Sequence, residues 1–214
     1  MRLILILFIT GILLGVLGLS WMMNNAGQFK QLEVVELPAC TPVEGAVGAE
    51  DLTIHPAGFA FISAFDRRAL RDGEDAVGGI YFYDMRKEAA ELRLLEEDFD
   101  GVLRPHGLSL YRGSDGVFLH VVNHPPGEHA IEIFQWVDGR LEHRETVTGP
   151  ELISPNDVVA TGARTFYATN DHVRPPGVGR MVDDYLQRPG ANVTYFDGSG
   201  LRIVADGIQF ANGI

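Results

Sequence analysis

Two hydropathy patterns divide the chain. From Leu3 to about Met23 nearly every position is apolar, Thr10 and Ser20 are the polar side chains, and no charge falls between Arg2 and Lys30. About 20 consecutive apolar residues suffice to cross a bilayer core, so this run predicts a membrane-crossing helix. After it, apolar residues come in short runs rich in Val, Ile, Phe and Tyr, broken by turn residues, which is the pattern of β-strands. Candidate strands cover 58–64, 79–84, 108–111, 117–123, 130–137, 141–147, 157–161, 165–169, 193–197 and 201–205. Turn signals sit between them at Ser114-Asp115-Gly116, Asp138-Gly139 and Asp197-Gly198-Ser199-Gly200. Asp138-Gly139, directly between two apolar runs, is a hairpin signal.

The rhythm predicts an all-β fold: a sandwich, a barrel or a propeller. No strict repeat is visible, so spacing alone leaves the three open. Residues 174–192 interrupt the rhythm with Pro and Gly, and Met181–Gln187 within them predicts a short helix. We divide the chain into an N-terminal segment, 1–29, and one β domain, 30–214. About 180 residues are enough to bury a real core.

Charge narrows the partners. The net charge is -12 with no basic block, whereas a phosphate backbone needs clustered Lys and Arg; no nucleic-acid partner is expected. Arg2 is the positive flank of the apolar segment, which predicts a cytoplasmic N-terminus and an exported β domain. The length of the segment and the lack of an A-x-A pattern at Ser20-Trp21-Met22-Met23 favour an uncleaved signal anchor. A cleaved segment would leave the domain secreted or periplasmic.

Chemistry concentrates at two acidic or amide pairs. Asn156-Asp157 opens one candidate strand, and Glu50-Asp51 has the same form about a hundred residues earlier. Strand side chains alternate faces, so in an extended segment the members of a pair face opposite ways. Adjacent oxygen ligands of this kind suit hard cations such as calcium, which takes 6–8 oxygens. His106 lies in Arg104-Pro105-His106-Gly107-Leu108, where Pro and Gly predict a tight turn that projects the ring. His124 lies in Val122-Asn123-His124-Pro125. Imidazole titrates near neutrality and suits proton removal from water. His55, His120, His129 and His143 are read as incidental. No Gly-x-Ser-x-Gly elbow occurs, which disfavours a serine hydrolase, and no Cys/His cluster suggests zinc. Asn192-Val193-Thr194 fits a glycosylation sequon.

Taken together, Gly48-Ala49-Glu50-Asp51, Pro105-His106-Gly107, Asn123-His124-Pro125, Pro155-Asn156-Asp157, Asn170-Asp171-His172 and Phe210-Ala211-Asn212-Gly213-Ile214 resemble the serum paraoxonase/arylesterase family, from about Val35 to the last residue. The resemblance implies a six-bladed β-propeller, of which this length supplies three to four blades. It implies two calcium ions. Glu50, Asn156 and Asn212 would hold a catalytic ion; Asp51, Asp157 and the carbonyl of Leu108 would hold a structural one. His106 would activate water, His124 would hold and tune it, and Asp171 and His172 would orient the metal side. The activity implied is hydrolysis of small carboxylic esters and lactones, with a calcium-polarised carbonyl attacked by His-activated water. The alternative is a membrane-anchored calcium-binding propeller without turnover. In the family a cysteine after a Leu-Pro pair, as in Leu37-Pro38-Ala39-Cys40, bonds a later cysteine. Cys40 is the one cysteine here, so the expectation is an N-terminal portion of a longer protein, with further ligands and the cysteine partner beyond Ile214.

Overall fold

The computed structural model describes residues 1–25, 27–33, 40–76, 78–95 and 98–214. The Leu37-Pro38-Ala39 element lies outside them; Cys40 is exposed and unbridged. Helix α1, Arg2–Asn25, is apolar and buries none of its residues in the protein. It is long and apolar enough to cross a membrane, by length and composition.

Three four-stranded antiparallel sheets follow among the described residues, each a meander in chain order. The first contains β1 (Ala49–His55), β2 (Phe59–Phe65), β3 (Gly78–Asp84) and β4 (Arg93–Leu94). The second contains β5 (Pro105–Gly113), β6 (Gly116–Asn123), β7 (Ala130–Val137) and β8 (Arg140–Val147). The third contains β9 (Pro155–Ala160), β10 (Phe166–Asn170), β11 (Ala191–Phe196) and β12 (Leu201–Ile208). These are three blades of a partial β-propeller. The first strands, β1, β5 and β9, lie side by side at the inner edge, with β5 in contact with both others. All ten candidate strands are present with bounds shifted by a few residues. Asp138 (φ 48°) and Gly139 (φ 87°) make the β7–β8 hairpin turn. Helix α2 (Arg67–Arg71) is capped by the Asp66 carboxylate, and α3 (Val178–Tyr185) is the helix expected in the 174–192 interruption.

The core fills the two spaces between blades. One cluster joins Phe61 and Ile80 of the first blade to Leu119, Val121, Phe134 and Leu141 of the second. The other joins Phe118, Val122, Ile131 and Ile133 to Val158, Phe166, Ala168 and Phe196 of the third. Strand β6 therefore gives alternate side chains to opposite neighbours, and apart from His120 both sets are apolar because both faces are covered. Each fully buried Phe, Leu or Ile side chain contributes about 1.5–3 kcal/mol by leaving water.

A repeat that the sequence hides appears in the register. Each inner strand carries an irregularity near its start. Opposite β2 the pairing passes from Ala49 to Asp51 and skips Glu50. Opposite β6 it passes from Pro105 to Leu108 and skips His106 and Gly107. Opposite β10, neighbouring residues pair with Pro155 and Asp157 and skip Asn156. A bulge bends the strand and re-aims the extra side chain. His106 thus stands on a strand bulge rather than in the expected tight turn. Buried asparagines pin the chain just before two of these bulges. Asn123 accepts from Arg104 N–H (2.8 Å) and donates to Val102 O (3.1 Å). Asn170 accepts from Ser154 N–H (3.0 Å) and donates to Glu151 O (2.8 Å). Asn192 takes a second Asn170 contact at its own oxygen (2.8 Å) and is 3% exposed, so its sequon is closed in the folded protein.

Candidate functional site

The bulged ends of the three inner strands meet around one cavity of about 150 Å³, lined by Glu50, Asp51, His106, Gly107, Asn156, Asp157, Asn212 and Gly213. Both members of each pair border it. The bulges at Glu50 and Asn156 interrupt the strict strand alternation on which the expected split of each pair was based. The strands approach closely here: a Cβ on Gly107 would lie 2.6 Å from Asp157 Cα and 2.7 Å from the Asn156 carbonyl. Only glycine fits between them.

Hydroxyls brace the bulges. Ser63 Oγ accepts from Asp51 N–H (3.2 Å) and donates to the carbonyl of His106, tying β2 to both β1 and β5. Thr169 Oγ1 accepts from Asp157 N–H (3.1 Å), the same place in the third blade. These two residues carry no signal a single sequence displays; each reads as an ordinary polar strand position.

The carboxylates fall into two sets. Glu50 pairs with Arg67 (2.7 Å) and approaches His106 Nε2 (3.2 Å). Asp51 accepts from Leu108 N–H (2.9 Å) and from Leu52 N–H (2.7 Å). Asp157 accepts from Val158 N–H (2.8 Å) and Ile214 N–H (3.1 Å). Burial first, then the neighbouring Asp51 charge, raise the Asp157 pKa, against its backbone hydrogen bonds. Leu108 contributes its N–H to Asp51 and does not itself line the cavity.

Among the described residues no three carboxylate, imidazole or thiol groups gather into an ion cage by themselves. The donor set around the cavity is wider: carboxylates of Glu50, Asp51 and Asp157, and amides of Asn156 and Asn212. All are hard oxygen donors, the type calcium takes. Among the described residues no Arg, Lys or His forms an ion pair with Asp51 or Asp157. Two like charges that raise one another's cost are relieved by a cation. The residues fit a hard divalent ion.

His106 Nδ1 lies 3.2 Å from His124 Nε2. His124 Nδ1 in turn lies 2.8 Å from His129 Nδ1. Burial, then the Arg67 charge, lower the His106 pKa against the pull of Glu50. His124 is pushed down to about 3 by burial, with His106 and His129 adding to it. Burial lowers His129 as well. All three shifts favour the neutral form of the ring. His129 was missed because it is four residues past Pro125, across a turn whose return only the structure displays. His143, also read as incidental, contacts the buried Glu132 (3.0 Å). His120 is fully buried, and among the described residues neither ring nitrogen has a hydrogen-bond partner.

Asp171 and His172 stand beside the cavity rather than in it. His172 Nε2 bonds Asp184 of α3 (2.7 Å). Its Nδ1 is 2.8 Å from Asp171 Oδ1, without the alignment of a hydrogen bond. Asp171 accepts from Ser154 Oγ (2.5 Å), and its charge favours protonation of His106, His124 and His129. The pair thus ties α3 to the end of β10.

A family profile described as Arylesterase matches residues 31–214. The chain belongs to the arylesterase family. It is 37% identical over 216 residues to serum paraoxonase/arylesterase 2 of Homo sapiens, covering 95% of this chain and 61% of the relative. The dog protein of the same name is 36% identical over 218 residues, covering 94% and 62%. Human serum paraoxonase/arylesterase 1 is 34% identical over 215 residues, covering 92% and 61%. The arylesterase chain described here thus spans about three-fifths of the length of these curated relatives.

Proposed function

We propose that the protein is a hydrolase of small carboxylic esters and lactones, with His106 as the base that takes a proton from water. The observation that carries this reading is the position of His106. Its Nε2 faces the oxygen-lined cavity beside Glu50, and its Nδ1 is held by His124. A neutral ring with one nitrogen toward a water site and the other fixed by a partner is what general-base catalysis needs. The names of the relatives, paraoxonase and arylesterase, agree with ester hydrolysis.

Glu50, Asn156 and Asn212 are the residues we assign to a catalytic calcium; Asp51, Asp157 and the Leu108 carbonyl are assigned to a structural one. Bound there, calcium would polarise the ester carbonyl and stabilise the developing oxyanion. The chain's own residues do the rest. His106 Nε2 accepts the proton of the attacking water and returns it to the leaving oxygen. His124 holds the His106 ring in place. Asp171 and His172 hold α3 against this side of the blade. We assign α1, with residues up to 29, as a signal anchor that leaves the propeller, 30–214, outside the cytoplasm; the exposure of its whole apolar surface supports this.

The test is hydrolysis of an aryl ester and a lactone by the whole protein, with calcium titrated in parallel. His106→Gln should lower kcat by about 10²–10⁴-fold, the share of a general base, and leave calcium affinity near wild type. Near wild-type lactonase activity in that variant would remove His106 from the role.

A further inference from the structure

We propose that Glu132 is a positioning residue: through the side chain of Asn123 it holds His106 and His124 at their separation from one another. The inference rests on the roles given to these two imidazoles above.

A glutamate stands out at this position. Residues Ala130 to Phe134 of β7 are all buried, and Glu132 is 1% exposed among apolar neighbours. A carboxyl group is rarely buried without partners. Glu132 Oε1 accepts from Asn123 Nδ2 (2.9 Å), Oε2 accepts from Thr146 Oγ1 (2.6 Å), and Oε2 lies 3.0 Å from His143 Nε2. A hydroxyl and an imidazole can each donate or accept, whereas the NH2 of an amide donates and nothing else. Of these three partners, Asn123 is the one that requires an acceptor from Glu132.

Asn123 stands where both imidazoles are attached to the blade. Its Oδ1 accepts from Arg104 N–H (2.8 Å) and its Nδ2 donates to Val102 O (3.1 Å). The next residue, His124, donates its N–H to the Arg104 carbonyl (3.1 Å). The end of β6 thus grips Arg104 on both sides, two residues before His106. His106 Nδ1 and His124 Nε2, 3.2 Å apart, project from the two segments so joined. A buried N–H left without an acceptor costs free energy. Without Glu132, the Asn123 amide lowers that cost by turning away, and it then lets go of Arg104. The third blade repeats the arrangement with neutral groups. Asn170 holds Ser154 N–H (3.0 Å), two residues before Asn156, and its Nδ2 meets Asn192 Oδ1 (2.8 Å) and Thr194 Oγ1 (3.1 Å). That blade supplies an internal control.

The test uses the whole protein with its N-terminal helix, in detergent with calcium. Amide hydrogen exchange is followed at Arg104 and His124, with Ser154 in the third blade and Leu119 in the core as controls. Glu132→Leu offers Asn123 no acceptor. Exchange at Arg104 and His124 should become about 10-fold faster, the worth of one net hydrogen bond, while Ser154 and Leu119 keep their rates. Aryl-ester kcat should fall about 10-fold, less than the roughly 10²-fold that a 1 Å misplacement can cost, with KM unchanged. Glu132→Gln, whose carbonyl can accept, should restore both. In an Asn123→Ala background Glu132→Leu should lower kcat no further, because the link is already broken. Asn123→Ala alone keeps Glu132 with Thr146 and His143, and it carries the same test if Glu132→Leu does not fold. Wild-type exchange at Arg104 or wild-type kcat in either folded variant overturns the proposal. So do equal losses in Glu132→Gln and Glu132→Leu, additive losses in the double variant, or faster exchange at all four amides, which would make Glu132 a general stabiliser. If the wild type hydrolyses no ester, the hydrolase reading fails, and exchange at the four amides still decides whether Glu132 holds the two segments through Asn123.

Discussion

The same three inner strands behave differently at their ends and along their length. Beyond its first residues β5 is regular, and Leu108 is buried among Phe61, Leu119 and Phe134. At its start the ladder is broken and His106 leaves the pleat. The first and third blades repeat this contrast at Glu50 and Asn156. Regular pairing buries apolar side chains on two faces; irregular pairing brings polar ones to a common cavity. The interior can be built by alternation alone, whereas the cavity needs its interruption. The two regions should therefore respond differently to substitution.

The largest effect is expected in the regular region. Phe166 is fully buried, with its ring 5.3 Å from that of Phe196 and 5.8 Å from that of His120. Phe166→Ala should cost about 3–5 kcal/mol through lost transfer energy and the cavity left behind. Below its lowered melting temperature the variant should retain the His106–His124 contact, which lies on the other strands. Denaturant titration measures the first, histidine ring spectra the second. Loss of both together would mean that the cavity has no structural independence from the core.

A smaller cost and a larger loss of function are expected at the bulge. Gly107→Ala places a Cβ against the backbone of Asn156 and Asp157, which cannot swing aside as a side chain can. Overpacking of this kind costs about 1–3 kcal/mol, and separating β5 from β9 pulls the cavity apart. Gly200, with open space around it, serves as the control; Gly200→Ala should change stability by about 0.5 kcal/mol or less. A Gly107→Ala protein as stable and as active as wild type would show that the close approach of β5 and β9 is dispensable.

How much of this was legible in the sequence follows the same division. Alternation and turn residues located ten strands because β-branched and aromatic runs with Gly-containing turns report local pairing. Strand β1 escaped, since Glu50-Asp51 at its start and an exposed outer pattern hide its pairing with β2. Strand β4 has two residues, too few for any period. The polar pairs and His106 were legible by resemblance, but their direction was not: a bulge depends on the register of a partner strand, which one strand's sequence does not carry. The contact of His124 with His129 depends on how one loop folds back. Ser63 and Thr169 are recognisable only once β2 and β10 are seen to stand at the same place in two blades.

The smallest effect concerns His120, which occupies the regular region with side-chain chemistry suited to the other. It shares the β6 face of Phe118 and Val122, stands against Phe166, and among the described residues finds no partner for either nitrogen. A buried polar atom without a hydrogen bond costs free energy. His120→Leu should therefore raise stability at pH 7 by about 1 kcal/mol, the low end of that penalty. The gain should grow in acid. Burial pushes the His120 pKa down to about 4 from 6.5. Between those values the unfolded chain binds a proton that the folded one refuses, so wild-type stability is fully present above pH 6.5 and falls as pH drops toward 4. His106, His124 and His129 are also lowered and slope the same way. The decisive quantity is thus the difference between variant and wild type, which subtracts them. Denaturant midpoints at pH 7 and pH 5 should show a larger gain at pH 5. An equal gain at both, or a less stable variant, would mean that His120 is hydrated or hydrogen-bonded in solution and that the regular region tolerates a polar side chain it has arranged to satisfy.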